Sequence, residues 1–167
     1  MSSNLADPGL ADPGDQVRIV AFASHHAEAW RSLNAAWIER FFAIEPKDQL
    51  VLDDPQGQVI AKGGMIFVAE RGDAAIGCVA LAPMPDGGFE LAKMTVAETA
   101  RGSGVGRRLI EACIAAAREA GAHRLYLESN TSLTPALTLY RACGFVHLPA
   151  QPTPYARADV WMELRLV

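Results

Sequence analysis

The sequence predicts a single α/β (α+β) domain in which a mixed β-sheet is covered by helices. Two observations carry this prediction. Segments with strand-like alternation and segments with helix-like spacing of apolar residues follow one another in the order β-α-β-β-β-α-β-α-β-β. The chain also has 167 residues, of which 50% are hydrophobic and 20% charged, the length and balance of one globular domain.

The first elements are read from local patterns. Residues 1–15 contain the pentapeptide Leu-Ala-Asp-Pro-Gly twice, which predicts a disordered tail before one folded domain at 16–167. Alternation over 17–21 indicates a strand. Apolar residues then recur every three or four positions from Trp30 to Phe41, which indicates a helix. The following segment, Glu45–Lys62, has two prolines and several acidic residues, and is predicted to be irregular with one helical turn.

The middle of the chain predicts three antiparallel strands followed by alternating helices and strands. Segments 65–70 and 75–82 form a hairpin, and 89–96 is the next strand. Helical spacing begins at Gly104 and ends near Gly121. The remaining predicted elements are a strand at 124–129, a helix from Thr134 to Gly144, and strands at 145–148 and 160–166.

Charge and hydropathy argue against several function classes. The net charge is −4 and there is no dense run of Lys or Arg, so a nucleic-acid partner is not expected. The longest apolar run, Ala74–Ala82, falls far short of the ~20 residues that a membrane span needs. The N-terminus lacks the features of a secretory signal. We therefore expect a cytoplasmic protein with no membrane partner.

The cysteines and histidines do not predict a metal site. The three cysteines, Cys78, Cys113 and Cys143, lie far apart in apolar stretches and are expected to be buried thiols in a reducing compartment. The four histidines show no metal-ligand spacing with them, and adjacent His25 and His26 are not expected to face one site. No metal is expected.

The glycine-rich segment 101–107 predicts an anion site. It stands between a strand and an amphipathic helix, and three glycines in five positions let the backbone approach a ligand closely. The free N–H groups and the positive dipole end of the helix favour a phosphate there. A dinucleotide fingerprint would need glycine where Arg107 stands, and the Gly-Lys-Ser/Thr ending of a nucleotide P-loop is missing.

The motif Arg-x-x-Gly-x-Gly that begins at Arg101 resembles the coenzyme A pyrophosphate loop of the GNAT superfamily of N-acetyltransferases. The blocks 90–96, 125–130 and 136–145 are similar to the family's flanking strand, its fifth strand and its fourth helix. The chain also resembles the subset that is sometimes fused to MarR-type regulators, although no such domain fits here. The resemblance implies a mostly antiparallel sheet and an acyl-CoA-dependent N-acyltransferase. Acetyl-CoA would be the co-substrate and no metal would be needed.

The resemblance also implies the contacts to acetyl-CoA. Backbone groups of Met94, Thr95 and Val96 would pair with the pantetheine arm, which Asn130 would also reach. Tyr140 would lie near the sulfur and donate its proton to the leaving thiolate. The residues expected around the pyrophosphate are Arg101, Gly102, Ser103, Gly104, Val105, Gly106 and Arg107.

The chemistry requires a base, because an alkyl amine with a pKa near 10.4 is protonated at neutral pH. Glu90 is the first candidate, since an acidic residue on this strand often serves in the family, and Glu128 is the second. The alternatives are a solvated glutamate at 90 and a core tyrosine at 140.

The acceptor groove is implied by the same resemblance. A small-molecule primary amine, such as an amino acid or a related metabolite, would lie in a groove with two sides. One side is formed by Trp37, Phe41, Phe42 and segment 45–54, and the other by Tyr155, Arg157 and Asp159. The acidic residues would suit a cationic amine, and Arg157 a carboxylate. A non-catalytic coenzyme A sensor is the alternative function. A homodimer is compatible with the sequence, which does not decide the oligomeric state.

Overall fold

The computed structural model describes residues 16–167, so the predicted tail at 1–15 lies outside the described residues. A seven-stranded sheet has the order β1-β2-β3-β4-β5-β7-β6. The strands are β1 (Val17–Ala21), β2 (Met65–Arg71), β3 (Ala74–Pro83), β4 (Phe89–Val96), β5 (Arg124–Ser129), β6 (Val146–Leu148) and β7 (Val160–Arg165). The α-helices are α1 (Ala27–Phe41), α2 (Pro46–Asp53), α3 (Pro55–Gln58), α4 (Val105–Glu119) and α5 (Thr134–Ala142).

The sheet is mixed and mostly antiparallel, which confirms the predicted fold class. Every neighbouring pair of strands is antiparallel except β4 and β5, which are parallel. The predicted order of the major helices and strands is also confirmed. No helix within residues 16–167 is long and apolar enough to cross a bilayer.

The prediction for segment 45–62 was wrong, because most of this segment is helical. Pro46 and Pro55 each occupy the first turn of a helix, where a missing N–H costs nothing. The Asp48 carboxylate accepts a hydrogen bond from the Glu45 N–H at 2.9 Å, and Asp54 accepts one from the Gly57 N–H at 2.9 Å. The prolines and acidic residues therefore begin helices here.

Alternate side chains of β2 and β3 build two separate cores, one on each face of the sheet. Ala69, Val79 and Leu81 belong to the core that contains buried residues of α4 and α5. Val68 and Cys78 belong to the other core, which contains Trp30 of α1. Helices α4 and α5 therefore cover one face of the sheet, and α1 covers the opposite face.

The sheet opens between β4 and β5. These strands pair at two positions, the second of which joins Glu90 to Tyr126, and no further pair follows within the described chain although both strands continue. On its other side β4 carries a β-bulge against β3. Lys93 at this bulge has φ 53°, the left-handed region that a lysine seldom adopts. The bulge bends β4 beside the opening between β4 and β5. We call this opening the fork.

Candidate active site

A cavity of about 520 Å³ passes through the fork. On one side it is lined by Trp37 and Phe42, at the end of α1. On the other side it is lined by Tyr140 of α5 and by the glycine loop 101–107. Because α1 and α5 cover opposite faces of the sheet, two reactants could enter from opposite sides and meet near Glu90, which lines the same cavity.

The glycine loop forms a cradle for a negatively charged group. Gly102 and Gly104 have φ values of 77° and 83°, and a Cβ at either position would meet nothing within 4 Å. The first backbone hydrogen bond of α4 runs from the Arg108 N–H to the Gly104 carbonyl at 3.1 Å. The N–H groups of residues 105–107 therefore have no partner within the helix and are available to a phosphate.

The side chains of the glycine loop differ in whether they can reach a bound anion. Arg101 and Arg107 line the cavity, and their side chains are 38% and 49% exposed, so both can turn towards an anion. The hydroxyl of Ser103 instead donates to the Ala100 carbonyl oxygen. Ser103 can therefore serve the predicted site through its backbone N–H.

Beyond the fork, the edge of β4 offers unpaired backbone groups. Met94, Thr95 and Val96 line the cavity. Thr95 and Val96 pair with β3 on one side, while the opposite edge has no strand partner among residues 16–167. An extended ligand with amide groups can hydrogen-bond to this edge as an added strand does. The predicted pantetheine contacts are compatible with this geometry.

Glu90 has the environment of a candidate general base. Burial raises the pKa of Glu90 to about 7, with a further contribution from the negative charge of Glu128. The Glu90 carboxylate makes no hydrogen bond to any other described residue. A carboxyl group that is free, faces a cavity and has a pKa near 7 can accept a proton at neutral pH.

Glu128 also lines the cavity, but its oxygens are already engaged. Oε2 accepts a hydrogen bond from the Tyr126 hydroxyl at 2.9 Å, and Oε1 accepts one from the Thr153 hydroxyl at 2.7 Å. The contact with Thr153 ties β5 to the loop before β7. The geometry therefore favours Glu90 over Glu128 as the base.

Tyr140 combines a core ring with a hydroxyl at the cavity. The residue is 8% exposed, and its ring packs 5.9 Å from that of Phe145, centre to centre. Burial raises the pKa of Tyr140 to about 12. Its hydroxyl makes no hydrogen bond within the part of the chain that the structure describes. The hydroxyl thus stays protonated and can donate a hydrogen bond to a ligand.

The Asn130 side chain is used by the protein itself. Its Nδ2 donates to the Arg157 carbonyl oxygen at 2.7 Å, and its Oδ1 accepts from the Ser132 N–H at 2.9 Å. Asn130 lines the cavity, but its amide holds two loops together. A contact to the pantetheine arm would have to share these atoms.

Of the residues predicted to contact the acceptor, Phe41 lies away from the cavity. It is 43% exposed and does not line the cavity, whereas its neighbour Phe42 does. Helix α1 ends at Phe41, and Phe42 adopts an extended conformation (φ −146°, ψ −163°) that separates the directions of the two rings. Tyr155 lines the cavity as expected.

Arg157 lines the cavity, but it is not free for a substrate carboxylate, contrary to the interpretation of the sequence. Its two terminal nitrogens each donate to the Asp48 carboxylate at 2.7 Å, and Nη1 also donates to Glu45 at 3.1 Å. Asp48 is fully buried and also binds a second cation, Lys93 Nζ, at 2.8 Å. Lys93 also donates to the Tyr155 hydroxyl at 3.1 Å.

This charged cluster joins α2, the β4 bulge and the loop before β7. Neither Lys93 nor the buried role of Asp48 was predicted from the sequence. The available signal was a lysine in a strand with apolar neighbours on both sides, Ala92 and Met94, because such a cation needs a buried partner.

The sequence profile of the acetyltransferase (GNAT) family matches residues 20–145. The chain belongs to this GNAT family. The matched residues include the glycine loop and both strands of the fork.

Curated relatives match about half of the chain. An "IAA acetyltransferase" of Azospirillum brasilense is 41% identical over 90 residues, which cover 53% of this chain and 59% of that protein. "N-acetyltransferase 8F1" of Rattus norvegicus is 33% identical over 87 residues, covering 49% of this chain and 39% of that protein. The matched part thus spans less than two thirds of either relative.

Solved structures share the GNAT fold along most of the chain. An acetyltransferase of Staphylococcus aureus Mu50 has a TM-score of 0.82 at 18% identity, covering 91% of this chain and 100% of that one. The yncA protein of Salmonella typhimurium, solved with acetyl-CoA, has a TM-score of 0.71 at 17% identity, covering 91% and 95%. At these identities the comparison shows the fold alone.

The cysteines of this GNAT domain are poor nucleophiles. Cys78 and Cys113 are buried, as predicted, whereas Cys143 is half-buried just after α5. Burial raises the pKa of the Cys78 thiol to about 12 and also raises the pKa values of Cys113 and Cys143. Thiols with raised pKa values carry little thiolate at neutral pH.

His25 and His26 lie closer to one site than the sequence analysis expected. Their rings are 4.0 Å apart, and their ligand atoms lie within 4.8 Å of each other and of Glu70. However, His26 Nδ1 accepts the Ala23 N–H at 2.9 Å, so the ring proton is on Nε2, which faces Glu70 at 3.0 Å. A metal-bound histidine usually donates through its second nitrogen, and this arrangement does the reverse.

Substitution of Gly104 is expected to weaken acetyl-CoA binding. Gly104→Ala places a Cβ at φ 83°, which costs about 1–2 kcal/mol in that conformation and reshapes the cradle. We expect the KM for acetyl-CoA to rise roughly 10-fold. Gly87→Ala is the matched control, because Gly87 has φ 88°, equally open surroundings and no contact with the cavity. An equal rise in KM in both variants would contradict the role of the glycine loop in binding acetyl-CoA.

Asp48→Asn is expected to destabilise the protein by about 3 kcal/mol, because it leaves two buried cations short of a carboxylate. Urea denaturation measures the loss. Asp53→Asn on the same helix is the control, since Asp53 is half exposed and pairs with Arg31 at the surface. A loss for Asp48→Asn no greater than that for Asp53→Asn would contradict the role of the cluster.

The stabilisation by Asp48 should depend on pH. Burial by itself would raise the pKa of Asp48, but hydrogen bonds from Arg157, Lys93 and the Glu45 backbone outweigh it and lower the pKa to about 2. Since the folded carboxyl binds protons less readily than the unfolded one, acid favours unfolding. The contribution is complete above about pH 4 and is lost as the pH falls towards 2.

Proposed function

We propose that this protein is an N-acetyltransferase that transfers an acetyl group from acetyl-CoA to the primary amine of a small molecule. The observation that carries the proposal is the cavity through the fork, which joins the glycine loop, Glu90 and Tyr140. Family membership and the acetyl-CoA held by the yncA structure support the choice of acyl donor.

The donor would lie on the α4 and α5 side of the sheet. The N–H groups of 102–107, with Arg101 and Arg107, would hold the pyrophosphate, and the free edge of Met94–Val96 would pair with the pantetheine arm. When bound, acetyl-CoA would supply a thioester, so that a new N–C bond forms as the C–S bond breaks.

Two side chains would carry out the proton transfers of the reaction. Keeping an alkyl amine neutral at pH 7 costs roughly 4–5 kcal/mol, and Glu90 lowers this barrier by accepting the amine proton. Tyr140 donates a hydrogen bond to the sulfur and passes its proton to the leaving thiolate, recovering one from solvent. The raised pKa values of all three cysteines support direct transfer without an acyl-enzyme.

The test is the release of free thiol from acetyl-CoA in the presence of single amines: amino acids, polyamines, aminoglycosides, arylalkylamines and short peptides. We expect amine-dependent release with at least one small-molecule class, accompanied by the acetylated amine in equal amount. Tight binding of acetyl-CoA without thiol release for any amine of the panel would contradict an enzymatic function and favour a coenzyme A sensor.

A further inference from the structure

The acceptor side of the cavity has aromatic walls. Trp37 and Phe42 lie with ring centres 6.2 Å apart, and Tyr155 lines the same side. Ile38 of α1 adds an aliphatic surface. Flat apolar side chains that surround a cavity favour a ligand with an apolar, ring-sized body.

The cationic side chains on the acceptor side of the cavity are already neutralised by carboxylates of the protein. Lys93 and Arg157 line the cavity, yet both bind the buried Asp48 carboxylate, and Arg157 also binds Glu45. Both charged groups also lie over the Tyr155 ring, whose centre is 4.6 Å from each of them. A ligand carboxylate would have to displace Asp48, which has no exposed surface, or stay unpaired.

The remaining charge on the acceptor side is negative. Glu90 and Glu128 line the cavity, and neither forms an ion pair with a described residue. Lys47 acts on Glu90 at a distance, but its side chain is exposed and does not line the cavity. This balance attracts an incoming ammonium group and repels a carboxylate.

We infer that the acceptor is a primary amine on an aromatic body without a carboxylate, that is, an arylalkylamine. The inference rests on the proposed function and narrows its substrate class. It replaces the expectation that Arg157 binds the carboxylate of an amino acid, because that guanidinium is neutralised by Asp48 and Glu45.

Matched acceptor pairs test the inference with the full chain and acetyl-CoA. 2-Phenylethylamine and L-phenylalanine differ by one carboxylate, as do tryptamine and L-tryptophan. We expect kcat/KM to be roughly 100-fold higher for each amine than for its amino acid, because the carboxylate finds no free cation. We also expect 2-phenylethylamine to exceed ethylamine by roughly 100-fold, since ethylamine leaves the aromatic walls unfilled.

A matched pair of variants assigns the preference to the cavity. Phe42→Ala should reduce the preference for 2-phenylethylamine over ethylamine roughly 10-fold. Leu50→Ala should leave it unchanged, because Leu50 on α2 is 56% exposed and outside the cavity. Equal or faster turnover of the amino acids or of ethylamine would overturn the inference, as would turnover confined to peptides.

Binding separates this inference from the proposed function. Titration of 2-phenylethylamine in the presence of coenzyme A is followed by tryptophan fluorescence, to which Trp37 in the cavity wall contributes. Saturable binding of the amine, with none of L-phenylalanine, supports the inference even if no amine is acetylated, an outcome that defeats only the proposed function. Absence of amine binding together with absence of turnover overturns both.

Discussion

Glu90→Gln is expected to lower kcat/KM by about two to four orders of magnitude and to remove a limb of the pH profile. Burial, followed by the charge of Glu128, raises the pKa of Glu90 to about 7. The active form is the carboxylate, so kcat/KM should rise with pH until about 7. Above pH 7 the wild-type value should level off, because the amine enters as ammonium and Glu90 removes its proton, whereas the variant needs the neutral amine and should rise towards pH 10. The profile of wild type and variant, measured from pH 5 to 10, separates the two.

Glu128→Gln provides the decisive comparison for this prediction. Removing the negative charge of Glu128 lowers the pKa of Glu90, so the limb should move to lower pH while remaining present. Glutamine at 128 can still accept one hydrogen bond from Tyr126 or Thr153. A limb that survives Glu90→Gln and disappears in Glu128→Gln would assign the base to Glu128.

Tyr140→Phe is expected to reduce kcat by about 100-fold with little effect on stability or on the KM for acetyl-CoA. The substitution keeps the ring that packs on Phe145 and removes the hydroxyl at the cavity. Because burial raises the pKa of Tyr140 to about 12, the hydroxyl is protonated throughout the assay range, and the loss should not vary with pH. Steady-state kinetics and thermal unfolding measure the two effects.

Tyr126→Phe controls for the loss of a tyrosine hydroxyl elsewhere. The Tyr126 hydroxyl donates to Glu128 and does not line the cavity. We expect this variant to retain kcat within a few-fold. Wild-type kcat in Tyr140→Phe would leave Tyr140 with a packing role alone.

The strands and helices that could be predicted from the sequence are those with a clear local pattern of apolar residues. Alternation and helical spacing identified the major strands and helices, and the glycines at 102, 104 and 106 identified the start of α4. The helices of segment 45–62 were missed because their prolines were taken as breakers. Pro46 and Pro55 stand at first-turn positions, which the neighbouring acidic residues could have indicated.

The remaining features depend on contacts between distant parts of the chain. The fork requires β4 and β5 to diverge after Glu90, and the bulge at Lys93 is compatible with the bond between Lys93 and Asp48, 45 residues away. Arg157 reaches the same carboxylate across 109 residues. No local pattern encodes these partners, so neither the pairing of Arg157 nor the role of Lys93 could be predicted from the sequence.

Isothermal titration calorimetry with acetyl-CoA tests the central claim that the cavity through the fork holds the acyl donor for transfer. We expect one molecule to bind per chain. Binding should be retained in Glu90→Gln and Tyr140→Phe, weakened in Gly104→Ala and unchanged in Gly87→Ala. Absence of binding by the wild-type protein, or binding that Gly104→Ala leaves unchanged, would contradict the assignment of the glycine loop and the proposed function that rests on it.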